Sequence, residues 1–444
     1  MKRPRCELGS ASVDVGVGLL GYGTVGSAVD RLLVENADDI ERATGHRLRV
    51  VRALVREPGK ERAFRAQPDV LTTDPAAIRD DPSIAIVAEV MGGIEPAGSY
   101  VLELLASGKP VVTSNKQLVA QRGAELFAAA AAAGVQLRFE ASVCAAIPVI
   151  KVLREALVVT NVHRVLGIVN GTTNFILTEM ERGASFDEAL AEAQRRGFAE
   201  ADPSDDISGA DAAAKMAILA TVAFGSRVGL DDVDFRGIES VTPGHLAAAR
   251  ELEMVVRLVG AATVVDDMLD VHVRPALVDR HHPLAAVEGA FNAVMLQGDA
   301  IREITLEGPG AGGIETASAV VADMVSVIGT AQTGFLQNDA CWRTLERLPP
   351  GELRSPCYVH LQVGDRPGVL ADVARRLAAH DVSVARLIQT PAEGGAALHL
   401  VLHEAPRRAV DAALSEIAQL PEVHAPPSLL PVISDRGVVE LGWA

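Results

Sequence analysis

A strand-like run from Val13 to Leu20, apolar apart from Asp14, feeds directly into Gly21-Tyr22-Gly23-Thr24-Val25-Gly26, and the residues after it carry helical spacing to about Glu35. Strand, glycine turn and helix in that order are the fingerprint of a dinucleotide-binding βαβ unit, and few other folds accommodate it. The glycines permit the tight turn and let the main chain approach a pyrophosphate, which would rest on the helix N-terminus. The same glycines would also suit close strand–helix packing with no ligand, so the motif alone leaves both readings open.

The chain from Leu48 to Glu140 keeps the rhythm of an open α/β sheet. A second strand is expected over Leu48 to Val55, ending where the adenosine ribose would lie. An NAD site places an acid there for the 2′-hydroxyl. This chain has Arg56, followed by Lys60 and Arg62, and cations suit a 2′-phosphate, so the expected cofactor is NADP, with NAD possible; a solvated basic loop is the other reading. Further strands are expected at Ile84 to Val90, Pro110 to Thr113 and Val135 to Glu140, with helices near Gly98 to Ser107 and Gly123 to Ala133. Thr113-Ser114-Asn115-Lys116 falls at a strand C-terminus, where such sheets bind ligands, which makes Ser114 and Lys116 candidates for cofactor or substrate contact. Residues 1–148 are therefore read as a Rossmann-type, doubly wound parallel sheet.

Beyond Ile150 the pattern becomes α+β. Strands are expected at His163 to Val169, Leu269 to Pro275, Ala290 to Gly298 and Ile301 to Glu307. Helices are expected at Thr173 to Glu181, Phe186 to Arg196, Gly209 to Phe224 and Pro243 to Leu258. This gives a second domain over 149–307, whose broad apolar strands would suit a subunit interface. Its most pointed segment is Gly197 to Lys215, which gathers Glu200, Asp202, Asp205, Asp206 and Asp211 ahead of a nearly all-apolar helix. Ser208 reads as the N-cap, with Asp211 closing a capping box. Asp211 and Lys215, at i, i+4, share a face. Carboxylates at the mouth of a buried helix suit a ligand ammonium, and the lysine could donate a proton; the plainer reading is a capped helix with one surface ion pair.

Gly308-Pro309-Gly310-Ala311-Gly312-Gly313 opens a long apolar helix expected over Thr316 to Thr330. The turn is either a phosphate or cofactor contact through Gly312, or a hinge. The segment 308–345 is expected to pack back on the first domain. Prolines and glycine in 346–356 mark a linker. Residues 357–432 then read as a small βαββαβ unit with no catalytic pattern.

Composition closes off other classes. A chain of 444 residues should hold two or three domains. A net charge of −17 and a pI near 5.1 argue against nucleic-acid and anionic-membrane partners. Cys6, Cys144, Cys341 and Cys357 form no CxxC pair, which fits reduced thiols in a cytoplasmic protein. The basic start, Met1 to Arg5, is followed by an apolar run that Asp14 interrupts, so no secretory signal is expected, and no apolar run is long enough to span a membrane.

These motifs together resemble the homoserine dehydrogenase family nearly from end to end. Ala193 to Lys215 fits its pattern of A-x3-G, an aromatic, D-P, D-[LIV]-x-G-x-D and x3-K; GYGTVG, VTSNKQLVA, FEAS with IPVI, NGTTN and GPGAGG occur in the family's order. Asp365 to Leu370 resembles the start of an ACT regulatory domain. The resemblance implies NADPH-dependent, reversible reduction of L-aspartate 4-semialdehyde to L-homoserine, in threonine, methionine and isoleucine biosynthesis, with feedback by threonine bound at the ACT unit. It implies that Glu200 and Asp211, with Asp206 nearby, hold the substrate ammonium, that Lys215 donates the proton, and that Lys116 assists. Gly197 would touch the nicotinamide end, and Thr172 and Phe198 would line the pocket; Phe198 stands where a tyrosine is more usual. Main-chain carbonyls of Glu140, Val143, Ala145 and Ile147 would hold a monovalent cation such as sodium. The family's glycines are replaced here by Cys144, Ala145 and Ala146, and the alanines are expected at negative φ. A homodimer or homotetramer is expected. The rival readings are an aspartate-semialdehyde dehydrogenase-like enzyme using Cys144, and a non-catalytic amino-acid sensor.

Overall fold

The computed structural model describes residues 13–62, 64, 69–330, 345–392 and 394–434. The N-terminal basic stretch, Cys6, Cys341 and the last part of the 308–345 segment lie outside them. The chain divides into two compact units, residues 1–162 with 217–232 and 306–344, and residues 163–216 with 233–305 and 345–444.

The first unit is built on six parallel strands, β1 (Val13–Leu20), β2 (His46–Leu54), β3 (Leu71–Thr72), β4 (Ile84–Glu89), β5 (Val111–Thr113) and β6 (Leu137–Arg138), in the order β3-β2-β1-β4-β5-β6. Strand order reverses beside β1, and ligands bind such sheets at that point. β1 is buried on both faces from Val15 onward, as its unbroken apolar run requires. The fingerprint helix Thr24–Glu35 and the returning helix Gly313–Thr330 share its core: Val17, Leu19, Val29 and Leu33 cluster with Ala317, Val320, Met324 and Val327. The helix expected from Gly123 begins instead at Lys116, because the Asn115 side chain caps it, accepting from Leu118 N at 3.1 Å. β6 is shorter than expected, since Glu140–Ser142 coils into a 3₁₀ turn.

In the second unit, β7 (Val162–Ile168), β8 (Asp234–Phe235), β9 (Met254–Val265), β10 (Met268–Asp279), β11 (Phe291–Gly298), β12 (Arg302–Pro309), β13 (Glu346–Arg347), β14 (Arg354–Val363), β15 (Val384–Ala392), β16 (Gly395–Pro406) and β17 (Ser428–Ile433) form one eleven-stranded sheet. Its main path runs β12-β11-β7-β9-β10-β17-β14-β16-β15. The last four strands, with helices Val369–Ala379 and Arg407–Ile417, are the βαββαβ unit, which has its own core around Val359, Val373, Leu400 and Ile417. It joins the rest of the sheet where β17 pairs parallel with β10, Val432 opposite Leu277.

Two local expectations are corrected. The helix expected over Pro243 to Leu258 stops at Glu251, and Met254–Val265 is β9, hairpin-paired with β10. The turn is Asp266-Asp267, both at positive φ, and the valine-rich β9 is too buried on both faces to show alternation. Ser208 does not cap the long helix: it ends a separate turn, Ser204–Ile207, and the helix Ala210–Phe224 starts after Gly209 at φ +87°. Gly209's left-handed backbone separates the two, so Asp211 is not committed to a capping box.

Candidate active site

In the first unit the glycine turn has the shape that close backbone approach demands. Gly21 sits at φ +103°, and a Cβ at Gly26 would run into the Gly21 carbonyl. Tyr22 is buried, and its hydroxyl bonds Asp30 at 2.5 Å. A Cβ at Gly313 would lie 2.7 Å from the Thr24 methyl, so the second glycine turn, with Gly312, opens its helix against the fingerprint. Of the three cations after β2, Arg62 is spent on main-chain carbonyls, donating to those of Tyr22, Glu57, Pro58 and Lys60. Arg56 and Lys60 stay exposed, with no side-chain partner among the described residues.

At the carboxyl ends of β4 and β5 lies a carboxylate that sequence reasoning passed over. Glu89, fully buried, accepts from Thr113 Oγ1 at 2.6 Å and from Met91 and Gly92 N. Burial pushes its carboxyl up, while these donors pull it back. Thr113 also accepts from Asn115 N at 3.0 Å, so Glu89 braces the Ser114–Lys116 turn; Lys116 is half-buried.

The turn after β6 departs from expectation. Ala145 has φ +40° and Cys144 φ +54°, so Ala145 is not at negative φ; Ala146 is not among the positive-φ residues. These two side chains sit in left-handed backbone, which glycine would adopt without strain. The carbonyls of Glu140 and Ile147 each accept one main-chain N–H, from Val143 and Val149, whereas those of Val143 and Ala145 accept none among the described residues. Glu140's carboxylate takes the N–H groups of Ile150 and Lys151, both at 2.8 Å, and its own N–H donates to Asp323. Burial and the Asp323 carboxylate push Glu140 up to about 7. The Cys144 side chain is only 1% exposed, a poor posting for an acylating nucleophile.

The second unit holds a buried lysine–carboxylate pair. Lys215 Nζ lies 2.7 Å from Asp211 Oδ2 and donates to the Val169 carbonyl at 2.8 Å. The pair is closed to solvent, at 11% and 4% side-chain exposure, because the helix bearing it is buried along its apolar length. A surface ion pair is thereby excluded. Asn170, missed in the sequence, donates from Nδ2 to Asp206 at 2.7 Å and to Asp211 at 2.8 Å. Burial raises the Asp206 carboxyl; the Asn170 amide lowers it. Thr172 is buried with its hydroxyl on the Phe198 carbonyl at 2.6 Å, and the Phe198 ring packs on Phe175. Gly197 has φ +76° and open space on its Cβ side. Glu200 is not drawn into this cluster: its side chain is exposed and unpartnered among the described residues. The available signal for Asn170 was the run Asn-Gly-Thr-Thr at a helix start, an N-cap pattern.

A nucleotide-binding parallel sheet with its fingerprint, and a buried lysine–carboxylate pair in an α+β unit, define an NAD(P)-linked oxidoreductase. Family models agree. "Homoserine dehydrogenase, NAD binding domain" matches residues 21–140, "Homoserine dehydrogenase" residues 148–325 and "ACT domain" residues 359–422. The chain is 40% identical over 435 residues to the homoserine dehydrogenase of a Synechocystis strain, covering 95% of this chain and 100% of that protein. It is 39% identical over 381 residues to the Bacillus subtilis enzyme, covering 85% and 88%. A homoserine dehydrogenase structure from Thiobacillus denitrificans superposes with TM-score 0.87 at 39% identity, covering 95% and 99%. A hyperthermophilic archaeal homoserine dehydrogenase in complex with NADPH gives 0.59 at 30% identity, covering 71% and 98%. The chain belongs to the homoserine dehydrogenase family. No helix among the described residues is long and apolar enough to cross a membrane.

Proposed function

We propose that the protein reduces L-aspartate 4-semialdehyde to L-homoserine with NADPH, reversibly, as a step toward threonine, methionine and isoleucine. The observation that carries this reading is the buried Lys215–Asp211 pair, with Asp206 beside it, in the segment that matches the family pattern. The Gly21 to Gly26 turn would hold NADPH, which would supply hydride to the aldehyde carbon. Lys215 delivers a proton to the aldehyde oxygen, and Asp211 holds its ammonium in place. Asp206 and Asp211 present negative charge to the substrate ammonium, with Thr172 lining the pocket; Glu200 takes part only if its exposed side chain turns inward. Lys116 is the second acid–base lysine by family resemblance, and Gly197 borders the nicotinamide end.

Exposed Arg56 and Lys60 support NADPH over NADH, since a 2′-phosphate needs cations that no other group occupies. Gly21 to Gly26, Ser114 and Gly312 contribute the remaining cofactor contacts. The carbonyls of Glu140, Val143, Ala145 and Ile147 suit a monovalent cation such as sodium. Cys144 and Ala145 hold a glycine-type backbone despite their side chains, and strain of that kind persists where the local path serves a purpose. An ion there would supply charge that fixes the turn. The ACT unit suits threonine as effector, and the chain is read as a cytoplasmic homodimer or homotetramer.

The test is NADPH oxidation with aspartate semialdehyde, with and without phosphate and with and without threonine. Phosphate-independent turnover is expected. Phosphate-dependent reduction of NADP+ by the semialdehyde, without NADPH oxidation, would assign the chemistry to an acylating dehydrogenase, and neither activity with intact folding would leave a sensor.

A further inference from the structure

Asn170 occupies the junction between β7 and the helix Gly171–Glu181, and every one of its side-chain positions is committed. Its Oδ1 accepts from Thr173 N at 2.8 Å and from Thr173 Oγ1 at 2.9 Å. A main-chain N–H can only donate, so the amide cannot be turned round, and both Nδ2 protons must face the other way. There they meet Asp206 Oδ1 and Asp211 Oδ2. The preceding carbonyl, that of Val169, accepts from Lys215. Two adjacent residues at one strand end thus fix the lysine and both of its carboxylates. The amide is wholly protein-bound, at 4% exposure.

Two carboxylates within reach of one amide repel each other, and burial disfavours charge on each. A neutral donor that bonds both relieves this without adding a cation that would compete for the substrate ammonium. We propose that Asn170 is a positioning residue for the dehydrogenase reaction, holding Asp206 and Asp211 aimed together so that they grip the substrate ammonium while Asp211 orients Lys215. This rests on the assignment of Lys215 and the two aspartates above, and it adds a residue that touches neither substrate nor reacting atoms.

An N-cap is the competing role, and two substitutions separate it. Asn170→Ser and Asn170→Asp both retain a cap acceptor for Thr173 but remove the paired N–H donors. Each variant is to be assayed for KM of aspartate semialdehyde, KM of NADPH, kcat, thermal midpoint and the pH profile of kcat/KM, beside Lys215→Ala. The positioning role expects KM for the semialdehyde to rise roughly tenfold or more and kcat to fall, with NADPH KM within about twofold. The acid limb of kcat/KM should move to higher pH, because the lost amide bond had favoured the carboxylate form. The thermal midpoint of the serine variant should fall, since the cap acceptor is kept but two carboxylates lose a buried donor, whereas a mere cap role would leave it near that of the wild type. Wild-type KM and an unmoved acid limb in Asn170→Ser, with Lys215→Ala inactive, would reduce Asn170 to a helix cap and overturn the inference alone. A fully active Lys215→Ala would overturn the reading on which it rests as well.

Discussion

Asp211 Oδ2 receives two donors at once, Lys215 Nζ at 2.7 Å from the next turn of its own helix and Asn170 Nδ2 at 2.8 Å from the end of β7. One carboxylate oxygen therefore ties the helix N-terminus to the sheet and sets the direction of the lysine. Removing the lysine leaves a buried carboxylate without its cation, so its effects should be read on both turnover and stability.

Lys215→Ala is expected to lower kcat by roughly 10² or more while NADPH affinity changes little, since proton donation is lost and the nucleotide unit is untouched. Steady-state kinetics with fluorescence titration of NADPH checks this. Near wild-type kcat would remove Lys215 from the acid–base role.

Arg56→Asp should raise KM for NADPH by about tenfold and leave KM for NADH nearly constant, because a fresh anion would face the 2′-phosphate. Arg62→Ala should act differently. It strips the bonds to four main-chain carbonyls, so both cofactors should weaken together through the loop. Equal losses for both cofactors in Arg56→Asp would mean that residue does not read the phosphate.

Ala145→Gly should stabilise the protein by about 1 kcal/mol, because glycine accepts left-handed backbone without the Cβ clash. Ala146→Gly, outside that region, should destabilise by a similar or smaller amount, about 0.5–1 kcal/mol, through unfolded-state entropy. Urea unfolding of the two variants gives opposite signs on this account. Two shifts of the same sign would show that backbone strain does not decide this turn.

A cluster of imidazoles joins the ACT unit to the rest of its sheet. His245, on the helix Pro243–Glu251, bonds Ser428 Oγ at 2.7 Å and lies with its ring 6.1 Å from that of His360 and 6.3 Å from that of Tyr358. His399 bonds the Tyr358 hydroxyl at 2.8 Å, with Thr390 also in reach, and Glu251 is the acid acting on this group. Burial, with His360 and His399 alongside, pulls His245 down to about 4. Its Nδ1 accepts from Thr242 N at 3.2 Å, a bond that protonation would break. The unfolded chain binds this proton from near pH 6.5 downward and the folded chain only near 4. The stabilisation is therefore complete above pH 6.5 and fades as pH falls toward 4, by at most about 3 kcal/mol. Unfolding free energies between pH 7 and 5 should fall more steeply in the wild type than in His245→Gln; identical slopes would contradict this.

Much of the fold was legible because local pattern and tertiary role coincide. The β1 run, apolar after Asp14, the glycine fingerprint and the alternation of strands with helices leave one sheet topology, and the boundaries of β1, β2, β4, β5 and β6 follow within two residues; the short β3 was not expected, and β10 runs four residues past its expected end. β9 was not legible, since a strand buried on both faces has no period to distinguish it from the end of a helix. The aspartate pair at its turn was the one local signal. The lysine–carboxylate pair could be located at i, i+4 in the sequence, but spacing cannot tell a surface pair from a buried one.

What the chain's sequence determined by itself was the set of elements and the residue types at the site, because periodicity and turn chemistry act over a few residues. Burial, partner choice and backbone strain depend on segments far apart in the chain, and only the tertiary structure decided them. Asn170 reaches across 36 and 41 residues to Asp206 and Asp211, and Glu89 across 24 to Thr113. Arg62 is withdrawn from the basic cluster by the Tyr22 carbonyl, and Ala145 is held left-handed by its surroundings against its own preference. Hydrogen bonds in a closed interior are set by which groups packing brings together, and no local pattern encodes that.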